Sequence, residues 1–291
     1  ENVAVGAYAG DALTTGSYNT AIGYNSLSVD DVGNGSTAIG QGSLYSQNTA
    51  TSATTFNTGC GFQTGYYNVT GTGNTYIGYS CGVGVSGNSH HSNTGMGREA
   101  MNGITTGSLN TCIGYAAGIA ITTGDNNAFL GADTGRTGSP GGAITTGSNK
   151  IAMGDENMTE AYIQIDWSVA SDERDKTDFT ALDVGLDFVK ALAPVTYKWD
   201  KRSKYVDWET NPDTDLNSIT HDGTHKEDWL DIGFKAQDIV ALEVAAGYKI
   251  ADKTNLTTSI TGDGKQYGIQ YSKFVPILVK ALQEADDKID A

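Results

Sequence analysis

A five-residue motif, Asn-x-small-apolar-Gly, recurs nine times before residue 155, closing on Gly6, Gly23, Gly40, Gly61, Gly78, Gly97, Gly114, Gly131 and Gly154. The intervals are 17, 17, 21, 17, 19, 17, 17 and 23 residues. A fixed period broken only by short insertions marks stacked repeats, whose units bury their apolar faces on one another. The run before each glycine, such as Thr20-Ala21-Ile22, is β-prone and too short for a helix, so it predicts one strand per coil. Segments such as Thr14-Thr15-Gly16 and Thr105-Thr106-Gly107 read as turns. The closing glycine is expected where the backbone turns left-handed or where no Cβ fits. Asparagine stands four residues before that glycine in seven copies, which predicts a hydrogen-bonded side-chain ladder between coils. At about 4.8 Å per strand the array would be on the order of 40 Å long. The motif offers only one or two small apolar residues per coil, so three chains are expected to share a core.

The fold class expected is therefore a mainly β repeat array, solenoid-like and trimeric, followed by a smaller α+β domain ending in a long helix. The second domain announces itself by composition. Residues 1–170 contain 31 of the 38 glycines and 14 charged residues, whereas residues 171–291 contain 7 glycines and 38 charged residues. The expected boundaries are a shaft over 1–160, a linker over 161–170 and a separate domain over 171–291. Net charge is −16, which argues against nucleic acid as a partner, since that requires clustered cations, and against an electrostatic hold on anionic membranes. No apolar run approaches the roughly 20 residues that span a bilayer, so no membrane insertion is expected. The chain opens at Glu1, inside a repeat, and is expected to be the C-terminal piece of something longer. Cys60, Cys81 and Cys112 have neither disulfide nor zinc spacing and are expected to be small buried hydrophobes of a protein made in a reducing cytoplasm.

The array resembles the Asn-Thr-Ala-Ile-Gly-Tyr repeats of phage tail fibres and the head repeats of trimeric bacterial autotransporter adhesins. Both resemblances imply a homotrimeric, surface-exposed rod.

Ser171-Asp172-Glu173-Arg174-Asp175-Lys176, taken alone, reads as a capped helix start. Three further motifs follow it: Leu192-Ala193-Pro194-Val195-Thr196-Tyr197-Lys198-Trp199, Ile232-Gly233-Phe234-Lys235-Ala236-Gln237-Asp238-Ile239, and Tyr267-Gly268-Ile269-Gln270-Tyr271 leading into Phe274-Val275-Pro276-Ile277. In this order they resemble the C-terminal intramolecular chaperone of phage tailspikes, tail fibres and endosialidases, also found in a membrane-bound myelin transcription factor. The resemblance runs from Ser171 to about Ile289. It implies a domain that drives homotrimer folding and then cuts its own backbone. Carried over, the scissile bond is Ala170–Ser171, Ser171 is the nucleophile and Lys176 the general base, with Asp172 and Arg174 supporting. The chemistry requires a neutral lysine amine to take the serine proton, and burial or nearby Arg174 is expected to favour that form. Asp175 stands where many relatives have an apolar residue. From Ser272 a helix is expected, with Phe274, Leu278, Ala281, Ala285 and Ile289 on one seam and Pro276 in its first turn.

The only enzymatic activity expected is this single-turnover self-cleavage. No cofactor and no metal site is expected; His90-His91 and His221/His225 are loosely spaced for ligands, and Gly135 to Gly142 lacks the Lys-Ser/Thr ending of a phosphate loop. The expected place is a virion tail fibre assembled in the host cytoplasm. Its expected partners are two further copies, other phage tail proteins reached through upstream residues, and a host surface glycan or protein. The insertions 44–57, 83–93 and 132–147 are candidates for host contact. The alternatives are a polysaccharide-cleaving tailspike and a trimeric bacterial surface adhesin.

Overall fold

A computed structural model describes residues 1–49 and 54–290. The chain forms two compact units, residues 1–157 with 202–219, and residues 158–201 with 220–291. Of the insertion 44–57, residues 50–53 lie outside the described residues.

The first unit is a parallel β-solenoid. Its strands are β1 (Val3–Val5), β2 (Thr20–Ile22), β3 (Thr37–Ile39), β4 (Thr58–Cys60), β5 (Thr75–Ile77), β6 (Thr94–Met96), β7 (Thr111–Ile113), β8 (Ala128–Leu130) and β9 (Ile151–Met153). They form one nine-stranded sheet in sequence order. Every pairing is parallel and keeps the motif in register, Ala21 on Ala38 and Cys112 on Phe129. The insertions do not shift it: Thr37 pairs with Thr58 and Thr75 with Thr94. Side chains alternate across a strand, and the middle residue of each of β2 to β9 faces inward. Ala21, Ala38, Tyr76, Cys112 and Phe129 are all buried there.

Two devices lock coil to coil. The closing glycines have positive φ, +139° at Gly61. A Cβ at Gly61 would lie 2.2 Å from the carbonyl oxygen of Gly78 in the next coil, so stacking at strand distance excludes any side chain there. The asparagines form the expected ladder. Asn93 Oδ1 accepts from the backbone N–H and the Nδ2 of Asn110 at 2.9 and 3.1 Å. Its own Nδ2 donates to Asn74 Oδ1 at 3.2 Å and to the turn carbonyl of Gly107 at 2.9 Å. The same turn carbonyl is reached from Asn19 to Gly33, Asn57 to Gly71 and Asn110 to Gly124. At Ser36, where the motif lacks its asparagine, Gln47 of the first insertion substitutes: its Oε1 accepts from Asn57 Nδ2 at 2.9 Å.

The core within one chain is larger than the motif implied. Leu27, Leu44, Met101, Ile104 and Ile121, all in the turns, are fully buried beside the inward strand residues. The motif omits them because turn residues are not held to one type by the sheet. The cysteine expectation holds for two of three. Cys81 and Cys112 are buried, but Cys60 is half-exposed, because it occupies the outward third position of β4. Burial pushes the Cys81 thiol up to about 12 and raises Cys112 further.

His90 is buried, with Nδ1 2.8 Å from the Tyr76 hydroxyl. Burial, with the neighbouring His91 adding to it, lowers its pKa from 6.5 to about 4. The unfolded chain therefore binds more protons than the folded chain between those values, and array stability falls as pH drops from 6.5 towards 4. The full effect is about 3 kcal/mol. Unfolding curves between pH 7.5 and 4.5 should show a steeper loss in the wild type than in His90→Asn.

The second unit is α+β. It contains helix α1 (Leu186–Ala191), β10 (Val195–Tyr197) antiparallel to β11 (Asp231–Gly233), helix α2 (Ala236–Ala245), β12 (Thr258–Ile260) antiparallel to β13 (Tyr267–Ile269), and helix α3 (Phe274–Ile289). Val184, Phe188, Ile239, Phe274 and Ile277 form its core. The C-terminal seam differs from expectation. Phe274, Ile277 and Ala281 are buried, while Leu278 and Ile289 are exposed. At 3.6 residues per turn the helix carries two apolar stripes, and its own domain uses the one that includes Ile277. On that side Glu284 accepts the Leu186 N–H at 2.7 Å. Val275, Leu278, Leu282, Ala285 and Ile289 form the other stripe at 3-4-3-4 spacing.

Candidate self-processing site

An extended chain would hold residues 171 and 176 about 17 Å apart, so their side chains meet only if the backbone between them turns. Asp172 makes it do so. Its carboxylate caps a short 3-10 helix (Glu173–Asp175) by accepting the Arg174 N–H at 2.9 Å. The Arg174 guanidinium then folds back onto the same carboxylate, with Nη2 2.6 Å from Oδ2. That charge-assisted pair holds the Asp172 carboxyl below its ordinary range. Backbone bonds close the turn, from Asp175 N–H to the Asp172 carbonyl at 3.2 Å and from Lys176 N–H to the Glu173 carbonyl at 3.1 Å.

The turn returns Lys176 to Ser171. Nζ lies 2.6 Å from Ser171 Oγ and 3.2 Å from its carbonyl oxygen. A serine hydroxyl within hydrogen-bond reach of an amine is the arrangement a nucleophile and its base require. Asp172 and Arg174 touch each other and shape the turn, which suits a supporting role. Ala170, Ser171 and Lys176 are all exposed in the single chain, and the Arg174 charge is taken up by Asp172.

The three downstream motifs converge on one core. Leu192 from the second, Phe234 and Ile239 from the third, and Ile269, Phe274 and Ile277 from the fourth pack together. Residues 171–248 match the family model described as the chaperone of endosialidase. The match begins at Ser171, takes in Lys176 and ends after α2, short of the fourth motif. It supports a C-terminal chaperone domain. No curated protein and no solved structure matches the chain.

Sequence reasoning missed Glu243, a buried carboxylate in the chaperone segment. Its signal was available: it lies four residues after Ile239 in α2, on the helix face that is otherwise apolar. His90 lies inside the array and His221 and His225 are exposed. Among the described residues no group of three or more His, Cys, Asp or Glu is placed to hold a metal, and no helix is long and apolar enough to cross a membrane.

Proposed function

We propose that this chain is a phage tail-fibre subunit whose C-terminal segment, from Ser171 on, assembles three copies and then cuts the Ala170–Ser171 bond. The observation that carries the reading is the 2.6 Å approach of Lys176 Nζ to Ser171 Oγ, at the first residue of the chaperone match. With Lys176 as the neutral amine, Nζ takes the hydroxyl proton and Oγ attacks the Ala170 carbonyl carbon. The C–N bond breaks, the Ser171 nitrogen receives the proton, and Ala170 is left as an ester on Oγ. Water hydrolyses the ester, giving an Ala170 carboxylate and a new amino terminus at Ser171.

A reason to assemble first lies in the array. Coils with a 17-residue period can pair between chains at several offsets of similar energy, and a folded trimeric module beyond them selects one. The outward α3 stripe from Val275 to Ile289 has the heptad spacing that joins helices of separate chains. The shaft then presents its insertions to a host surface, and upstream residues join it to other tail proteins.

Expression of the full chain should yield fragments of 170 and 121 residues on a denaturing gel. Ser171→Ala and Lys176→Ala should each leave one band. An uncut wild-type band after complete folding sinks the self-cleavage.

A further inference from the structure

Cutting the Ala170–Ser171 bond removes the covalent tie between the array and everything after it. Residues 158–170, which carry that tie, are exposed throughout. Residues 202–219 supply another connection. They lie inside the chaperone match, between its second and third motifs, yet they fold with the array and not with the chaperone segment.

This loop holds its own shape. Arg202 Nη1 donates to the Leu216 carbonyl at 3.0 Å and to Asn217 Oδ1 at 3.1 Å, which joins the two ends of the loop. Trp208 Nε1 donates to the Ser203 carbonyl at 3.0 Å. Ser203 and Leu216 are buried. The array meets the loop at three points. At Gly138, with φ +89°, a Cβ would lie 2.9 Å from both Ser203 Cβ and Trp208 Cζ2, so only a glycine lets the loop close down there. The Arg136 guanidinium lies 5.0 Å from the centre of the Trp208 ring. Glu156 at 2.9 Å and Asp133 at 3.3 Å fix that guanidinium, and Arg136 is only 11% exposed, so the indole packs on a cation already largely withdrawn from water. In the coil after β7, the Tyr115 hydroxyl donates to Glu209 Oε1 at 2.9 Å. A tryptophan on an arginine, with a charge-assisted hydrogen bond beside it, is the composition of a tight protein interface.

We infer that residues 202–219 are a strap that keeps the C-terminal fragment on the array after the backbone is cut. The inference rests on the proposed cleavage, which creates that fragment. It gives the insertion 132–147 an occupant other than a host surface. Because the loop is ordered by its own bonds, staying bound costs little further ordering. Departure requires all three contacts to open together, so the fragment leaves slowly.

The test uses the full chain with an affinity tag at Glu1. After the cut, the protein is captured through the tag in non-denaturing buffer, washed, and read on a denaturing gel. The 121-residue fragment should stay with the 170-residue fragment in equal number. Trp208→Ala/Glu209→Ala should release it into the wash with the β-sheet circular dichroism unchanged. Tyr115→Phe removes one hydroxyl and should shorten the half-time of fragment loss about tenfold; this arm reads the strap even where the double variant fails to fold. A parallel set carries Ser171→Ala and a site-specific protease sequence inserted between Met158 and Ala170, so that the chain is severed without the dyad. A wild-type strap whose fragment washes away after either cut overturns the inference and leaves self-cleavage standing. A chain that never cuts itself, but whose fragment stays after the protease cut, sinks self-cleavage and leaves the strap. Equal retention by the wild type and all variants overturns the strap.

Discussion

Asn93→Ala is expected to destabilise the array by about 5 kcal/mol, because it strips partners from several buried groups at once. The Asn110 N–H loses its acceptor, Asn110 Nδ2 keeps only the Gly124 carbonyl, and the Gly107 carbonyl and Asn74 Oδ1 each lose a donor. All three neighbouring asparagine rungs are fully buried, so water cannot replace those bonds without opening the coil. Asn93→Asp should not rescue: it keeps an acceptor, loses both donors and buries a charge. Serine should not rescue either. In the equivalent slot at Ser36, it is Gln47 of the first insertion that reaches in to accept from Asn57. Denaturant unfolding followed by circular dichroism measures the loss. Amide exchange should show it concentrated in the coils on either side of residue 93, as expected for units that contact only their neighbours. A loss under 1 kcal/mol would mean that the ladder is ornamental.

Glu243→Ala should destabilise the chaperone segment by about 4 kcal/mol, since buried donors left unpaired cost more than a hydrogen bond gains. Its Oε1 accepts from the Thr257 N–H at 2.6 Å, the Thr257 hydroxyl at 2.7 Å and the Thr258 N–H at 3.2 Å, and its Oε2 from the Thr258 hydroxyl at 2.6 Å. The carboxylate thereby ties α2 to the start of β12. Burial pushes the Glu243 carboxyl up, and the bonds from Thr258 and Thr257 outweigh it, leaving the pKa below 4.5. A depressed carboxyl contributes stability that is complete above its unfolded value and is lost as pH falls through the lower folded value. Amide protection of α2 and β12, relative to the intrinsic exchange rate at each pH, should therefore fall in the wild type below pH 4.5. In Glu243→Gln protection should already be low at pH 7 and change little with acid. If the wild-type protection is the same at pH 3 and pH 7, the carboxylate is not what holds these elements.

The repeat was legible because it is written in local chemistry. Strand length, coil period, the closing glycines and the asparagine ladder all follow from residues within one coil and its neighbour, and the register survived insertions of differing length. The core was less legible. Leu27, Met101 and Ile121 are buried by turns whose residue types differ from coil to coil, so no single-motif pattern marks them. Cys60 shows the same limit: its slot was correctly aligned with Ile22 and Ile39, but whether that slot faces in or out depends on which side of the sheet the turns close over. In α3, apolar residues on two adjacent stripes cannot be assigned to partners until the domain core chooses one.

The Ser171–Lys176 pair divides along the same line. The sequence by itself determined the stacked β coils, the composition boundary and the six residues from Ser171 to Lys176, since each depends on residue type and spacing along the chain. Only the tertiary structure decided that the Asp172–Arg174 turn brings the amine to 2.6 Å from the hydroxyl, that Gln47 repairs the ladder at Ser36, and that residues 202–219 fold with the array. These depend on which groups meet in space, and the free energy of such meetings is set by burial and geometry that no local window of residues contains.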